Sequence, residues 1–230
     1  NDELLLIKKL LAQLGKTPFY KKAKPTPYDE AISLIWYLEN VFYHSISKIY
    51  NYVQQHIYDG EPLENEIIDL GFWPGGDRDG NPFVTTKITL DVAERLRQSI
   101  LRSYYGDVKR LKRRFTFDGV QEILAKVEKR LYKHVVRSYK KVNFSQKILL
   151  SELEAAREIV KTKHNSLFIE ELNDFINKVR IFGFHFATLD IRQDSRVHHK
   201  AFTQIVDDLA ADGDTTFPKN YHHLSEDEQI

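Results

Sequence analysis

From Tyr28 to Ile57 the apolar residues Ile32, Ile35, Trp36, Phe42, Ile46, Ile49, Tyr50, Val53 and Ile57 recur on the period of an α-helix. A stripe about eight turns long commits the chain to an extended amphipathic helix that must bury one face. Its start is legible too: Lys24-Pro25-Thr26-Pro27 cannot be helical, Pro27 suits a first turn, and Asp29 and Glu30 suit the positive end of the helix dipole. The same period returns from Leu90 to Phe115, with Val92, Leu96, Ile100, Tyr104, Val108 and Leu111 on one face. It returns again through Val120, Ile123, Leu124, Val127, Leu131 and Val135. Three more helices fit Lys147 to Lys163 behind a Ser145 N-cap, Leu167 to Val179, and Val197 to Leu209. With 42% apolar and 29% charged side chains in 230 residues, such a chain can bury a sizeable core. The pattern predicts a mainly α-helical fold, residues 1–230 forming one helical segment.

Two stretches break the period. Ile67-Ile68-Asp69-Leu70-Gly71-Phe72-Trp73 is short and rich in β-formers. Phe184 to Ile191 alternates, with His185, Ala187, Leu189 and Ile191 on one side and Phe184, Phe186, Thr188 and Asp190 on the other, a side that Arg192 continues. Both run into charged sequence. Polar residues gathered at the C-terminal ends of strands are where α/β barrels keep their chemistry, so 67–73 and 184–192 are expected to be two strands of an incomplete (β/α)8-type barrel.

Composition removes several function classes. Without cysteine there is no disulfide and no thiolate zinc site. No apolar run approaches the roughly 18 residues of a membrane span, and NDELLLIKKL lacks the apolar core and cleavage site of a secretory signal. A soluble cytoplasmic protein without a membrane partner is expected. The absence of methionine, even at position 1, reads as an internal piece of something larger. Lys plus Arg number 34 against 33 Asp plus Glu, yet residues 89–141 hold 15 basic and 6 acidic side chains, a local +9. Within that region Lys109-Arg110-Leu111-Lys112-Arg113-Arg114 has the look of a nucleic-acid patch. No RNA- or DNA-binding module accompanies it, and cations are at home at a helix C-terminus, so nucleic acid is not expected as a partner. The excess is instead expected to face acidic surface outside the segment.

Two motifs carry chemistry. Gly75 to Pro82 packs Gly75, Gly76, Asp77, Arg78, Asp79, Gly80 and Asn81 into one loop. Such a loop can expose consecutive amides as an anion nest, or form a tight turn held by its own hydrogen bonds. It is no EF-hand, because Pro82 stands where glycine is needed and Ile88 where a bidentate glutamate is needed. Asp190-Ile191-Arg192-Gln193-Asp194-Ser195-Arg196 sets alternating charges around a strand end. There Arg192 offers a planar fork for carboxylate or phosphate, or else pairs with Asp190. The histidines, including His198-His199 and His222-His223, have no metal-ligand spacing, and no metal site is expected in this segment.

Phe72-Trp73-Pro74-Gly75-Gly76-Asp77-Arg78-Asp79-Gly80-Asn81-Pro82-Phe83-Val84-Thr85 resembles the signature of the phosphoenolpyruvate carboxylases. Leu189-Asp190-Ile191-Arg192-Gln193-Asp194-Ser195 with His198 resembles that family's second block, and Lys24-Pro25-Thr26-Pro27-Tyr28-Asp29-Glu30-Ala31 the opening of its long helix. The resemblance implies a cytoplasmic Mg2+-dependent lyase that fixes bicarbonate onto phosphoenolpyruvate, giving oxaloacetate for the tricarboxylic acid cycle and phosphate. It implies a homotetramer, helical around an eight-stranded barrel. By motif position Arg192 binds the substrate phosphate and Trp73 lines the pocket for bicarbonate or carbon dioxide. Asp190, Gln193 and Asp194 support the strand end, and the role of Gly75 to Asn81 stays open.

Pro74 stands where many members carry methionine, and Asp194 where many carry glutamate. The family's His-Pro-Thr-Glu block precedes a segment like this one, and its metal-binding carboxylates and His-Gly-Arg-Gly-Gly loop follow it; none of these occurs here. The segment alone is therefore expected to be inactive, completed by the remaining parts of the same chain. The competing readings are a non-catalytic helical scaffold or regulatory module, and a nucleic-acid-binding helical domain.

Overall fold

The computed structural model describes residues 2–18, 24–60, 68–137, 144–218, 221, 224 and 225. Ile67 and His222-His223 lie outside the described residues. The described helices are α1 (Asp2–Lys16), α2 (Pro27–Tyr37), α3 (Tyr43–Ile57), α4 (Thr86–Arg114), α5 (Val120–Arg137), α6 (Gln146–Lys163), α7 (Ile169–Phe182) and α8 (Ser195–Ala211). The strands are β1 (Gly71–Phe72) and β2 (Thr188–Leu189). No described helix is long and apolar enough to cross a membrane.

The long first stripe is one rod interrupted by a π-helical turn, Leu38–Phe42, between α2 and α3. A capping box starts it: the Asp29 amide donates to Thr26 Oγ1 at 3.2 Å, and the Thr26 amide donates to Asp29 Oδ2 at 3.0 Å. The buried face runs through Ala31, Ile35, Leu38, Tyr43, Ile46 and Tyr50, whereas Trp36, Phe42, Ile49 and Ile57 are exposed. Trp36 sits a quarter-turn off that face. Beyond it, the five-residue step from Leu38 to Tyr43 inserts one residue and turns the stripe by about 100°, exchanging Phe42 for Tyr43 in the core.

The α4 face is as the periodicity predicts: Val92, Leu96, Ile100, Tyr104, Val108 and Leu111 are all buried. Thr85 caps it, accepting from the Ile88 amide at 3.4 Å. Ser145 caps α6 in the same way through the Ile148 amide. Helix α4 packs on α2, α5 and α7, α5 on α6, α6 on α7, and α3 on α7. One continuous core results, with Leu124, Leu131, Leu149, Leu153, Phe175 and Ile176 virtually inaccessible. Each such side chain contributes about 1.5–3 kcal/mol. Tyr104 is buried at its centre and donates to the Gly183 carbonyl at 2.7 Å; burial, then the Asp107 charge, push its phenol well above the usual tyrosine range.

The strands are shorter than expected. They pair in parallel, Gly71 with Thr188 and Phe72 with Leu189, and the described residues contain this two-stranded sheet and no closed barrel. Residues 184–187 belong to the turn that leaves α7. There Phe184, Phe186 and Ala187 are all buried and Phe186 has a φ of 70°, so the alternation read across them is not that of a strand. Helix α1 was not signalled by any cap and buries no residue; Leu4, Ile7, Leu11 and Leu14 are each more than half exposed.

Part of the local positive charge is met inside the chain. Lys112 pairs with Glu128, Arg114 with Glu171, and Arg130 and Lys126 with Glu152 at 2.6 and 2.9 Å. Glu152 of α6 and Glu171 of α7, both outside residues 89–141, thus supply a part of the acidic surface that this basic stretch faces.

Candidate functional site

The two parallel strands end side by side, and the two motifs leave from those ends. The Thr188 amide donates to the Leu70 carbonyl at 2.7 Å and the Asp190 amide to the Phe72 carbonyl at 2.8 Å. The pairing outlasts the strands as a bridge between Asp77 and Arg192. The Arg192 amide donates to the Gly76 carbonyl at 3.1 Å, and the Arg78 amide donates to the Arg192 carbonyl at 2.9 Å. The main chain of Arg192 is therefore gripped on both sides by the loop.

That grip needs glycine. A Cβ on Gly76 would lie 2.1 Å from the Asp190 carbonyl oxygen, so only glycine lets the loop approach the strand end this closely. Gly75 has a φ of 83°, and a Cβ there would meet Val92 of α4 at 2.7 Å. The Gly76 and Asp77 amides both donate to the Trp73 carbonyl, at 2.9 and 3.1 Å, and the Asp79 amide donates to Asp77 Oδ1 at 3.3 Å. With the Arg78 amide on Arg192, these four consecutive amides are spent within the chain, which is the arrangement of a tight turn and not of an open anion nest. Asn81 Oδ1 accepts from the Phe83 amide at 3.1 Å, closing the far side of the loop.

The loop is anchored to α4 by side chains. Arg78 Nη2 donates to Thr86 Oγ1 at 3.2 Å and to Thr89 Oγ1 at 3.3 Å, and Thr89 Oγ1 donates to the Gly75 carbonyl at 2.7 Å. Thr86 and Thr89 escaped the sequence reading; the only trace was a cluster of threonines just past the loop.

Arg192 itself is exposed, and among the described residues its guanidinium has no hydrogen bond or ion pair, with Asp190 or any other group. Trp73, at the end of β1, is also half exposed. Pro74, Gly75 and Gly76 are buried, Asp77 and Arg78 partly so, and Asp79, Gly80 and Asn81 face solvent. Gln193 and Asp194 turn the chain into α8: Gln193 Oε1 accepts from the Asp194 amide at 3.0 Å. The Asp194 carboxylate takes the Arg196 amide at 2.8 Å and its side chain at 3.0 and 2.7 Å. Those bonds, the side-chain ones first, hold the Asp194 carboxyl below the usual carboxylate range. An open groove of about 860 Å3 separates the loop from the start of α2, bringing Lys24, Pro27 and Glu30 opposite Asn81 and Phe83.

Among the described residues no group of three or more His, Asp or Glu is arranged to hold a metal ion.

A glycine loop thus clamps the main chain of an exposed arginine at the ends of two parallel strands set in a mainly helical body. The sequence matches the family described as phosphoenolpyruvate carboxylase over residues 4–147 and 124–230. The chain belongs to that family. It is 29% identical over 237 residues to the phosphoenolpyruvate carboxylase of Aeromonas hydrophila, covering 89% of this chain and 27% of that protein. The enzymes of Vibrio vulnificus and Nitrosomonas eutropha are each 26% identical, covering 97% and 100% of this chain and 28% of each relative. The chain thus spans little more than a quarter of the length of the curated relatives it matches.

Proposed function

We propose that this chain forms the part of a phosphoenolpyruvate carboxylase that presents Arg192 to the substrate phosphate and Trp73 to the bicarbonate pocket. In that reaction the phosphoryl group passes from the enol oxygen to bicarbonate, giving carboxyphosphate and the enolate of pyruvate. The methylene carbon of the enolate then bonds to the carboxyl carbon, giving oxaloacetate and free phosphate. A fixed guanidinium stabilises the charge of the departing phosphate, and an aromatic wall keeps water from the enolate. One observation carries the reading: Arg192 has its main chain pinned on both sides and its side chain unpaired among the described residues.

Residues 1–230 act as one segment, with β1 and β2 belonging to an eight-stranded barrel that other parts of a longer chain complete. The catalytic histidine and the magnesium ligands come from those parts. The whole enzyme is a cytoplasmic homotetramer, and the segment by itself is inactive.

The test is made on the full-length protein. Arg192→Ala and Arg192→Lys should both lower kcat/KM for phosphoenolpyruvate by about a hundredfold, since lysine keeps the charge but not the bidentate fork. Unchanged kinetics with an earlier melt would mean that Arg192 only holds the strand. Oxaloacetate production by residues 1–230 alone, surviving repurification, would defeat the segment reading.

A further inference from the structure

Thr89 lies near the start of α4, outside both strands and the loop, yet its hydroxyl ties two points of the loop together. It donates to the Gly75 carbonyl at 2.7 Å and accepts from Arg78 Nη2 at 3.3 Å. Gly75 is pressed against Val92, one turn further along the same helix face. The next residue, Gly76, accepts from the Arg192 amide, and Arg78 donates to the Arg192 carbonyl. Two short covalent links therefore separate the Thr89 hydroxyl from both main-chain bonds that fix Arg192. Arg78 turns its fork inward to Thr86 and Thr89 through Nη2, which ties its side chain to α4.

We infer that Thr89, together with Arg78, is a positioning residue: it sets where the Arg192 guanidinium stands by fixing the Gly75–Arg78 turn against α4. The inference rests on the reading of Arg192 as the phosphate ligand and adds the device that aims it. A hydroxyl is required, because a methyl in its place can neither donate to the Gly75 carbonyl nor accept from Arg78. Helix α4 is anchored in the core along its length, with Val92, Ile100, Leu101, Tyr104 and Val108 fully buried. Anchoring the loop there ties an exposed arginine to a rigid support.

The test uses the full-length protein and three variants, Thr89→Val, Thr89→Ser and Arg78→Ala, each made with Arg192 intact and with Arg192→Ala. With Arg192 intact, Thr89→Val should lower kcat/KM for phosphoenolpyruvate about tenfold while the KM for bicarbonate stays within about twofold. Thr89→Ser should restore activity, and Arg78→Ala should show the same signature if Thr89→Val proves unstable. In the Arg192→Ala background neither substitution should matter further, because the group being aimed is gone. An undiminished kcat/KM in Thr89→Val, a failure of serine to rescue, or an equal loss with and without Arg192 would each overturn the inference. If Arg192→Ala alone has wild-type kinetics, the phosphate assignment itself falls, and the positioning role falls with it.

Discussion

The Tyr43 hydroxyl donates to the Asp107 carboxylate at 2.9 Å, and Lys178 of α7 reaches the same oxygen at 3.3 Å. Helices α3, α4 and α7 thus meet at one buried carboxylate, which Arg110 also contacts. Lys178 continues to Asp174 at 2.6 Å and lies over the Tyr43 ring at 5.1 Å. Burial, followed by the Asp107 charge, raises the Tyr43 phenol well above the usual range, so it stays a donor throughout the accessible pH range.

Removing the carboxylate should therefore cost more than removing the hydroxyl. Asp107→Ala strands a buried ammonium with one remaining partner and is expected to lower stability by about 2–3 kcal/mol. Tyr43→Phe, which leaves Asp107 its two cations, should cost about 1 kcal/mol. Urea melts of residues 1–230 rank the two, and an equal or reversed order would contradict the shared role of Asp107.

Two glycines of one loop should behave oppositely. Gly76→Ala sets a methyl group against the Asp190 carbonyl, backbone on backbone, and cannot be accommodated without breaking the Arg192 grip. Gly80→Ala meets nothing within 4 Å and carries only the cost of its φ of 67°, about 1 kcal/mol. Amide exchange at Arg192 should accelerate strongly in the first variant and stay slow in the second.

His134 gives a pH dependence with a defined sign. It is buried in α5 against Phe144, its Nε2 has no partner among the described residues, and burial followed by the Arg97 charge lowers its pKa below the ordinary 6.5. The unfolded chain then takes up a proton that the folded chain resists. The stabilisation is complete above pH 6.5 and is lost as pH falls from there through the lower folded-state value. Melts between pH 5 and pH 8 should show this slope in the native chain and a weaker one in His134→Phe.

The basic run on α4 should bind nucleic acid poorly. Arg110, Lys112 and Arg114 are paired with carboxylates and Lys109 sits over the Tyr105 ring at 5.4 Å. Any complex with duplex DNA or RNA should dissolve near physiological salt, as judged by a salt titration. Sequence-selective binding at that salt would contradict the pairing argument.

What the sequence made legible follows from how regular each element is. The α4 face could be read because an uninterrupted helix packed along its length repeats its period from Val92 to Leu111. The placement of Trp73 and Arg192 beside the two strand ends could be read because the charged motifs begin where the β-formers stop. The burial of Tyr43 could not, because a period-3.6 reading assumes that no residue is inserted at Leu38–Phe42. The turn at 184–187 mimicked a strand because three buried residues follow α7 without any glycine or proline among them. Thr89 was invisible, since a threonine inside a helix announces nothing until its acceptor across the loop is known. Helix α1 had a leucine-rich pattern but no cap, and no core residue among those described answers it.

The π turn makes the chain unevenly tolerant of changes in length. Upstream of it the rod leans on α4, and downstream on α7, so the turn is where one helix changes neighbours. Deleting a single residue from Leu38–Phe42 would leave a sound α-helix by every local criterion. It would also swing Tyr43, Ile46 and Tyr50 about 100° away from α7 and take the phenol from Asp107. A deletion that improves the helix would dismantle the fold around it, whereas the same deletion in α1 would disturb no buried side chain.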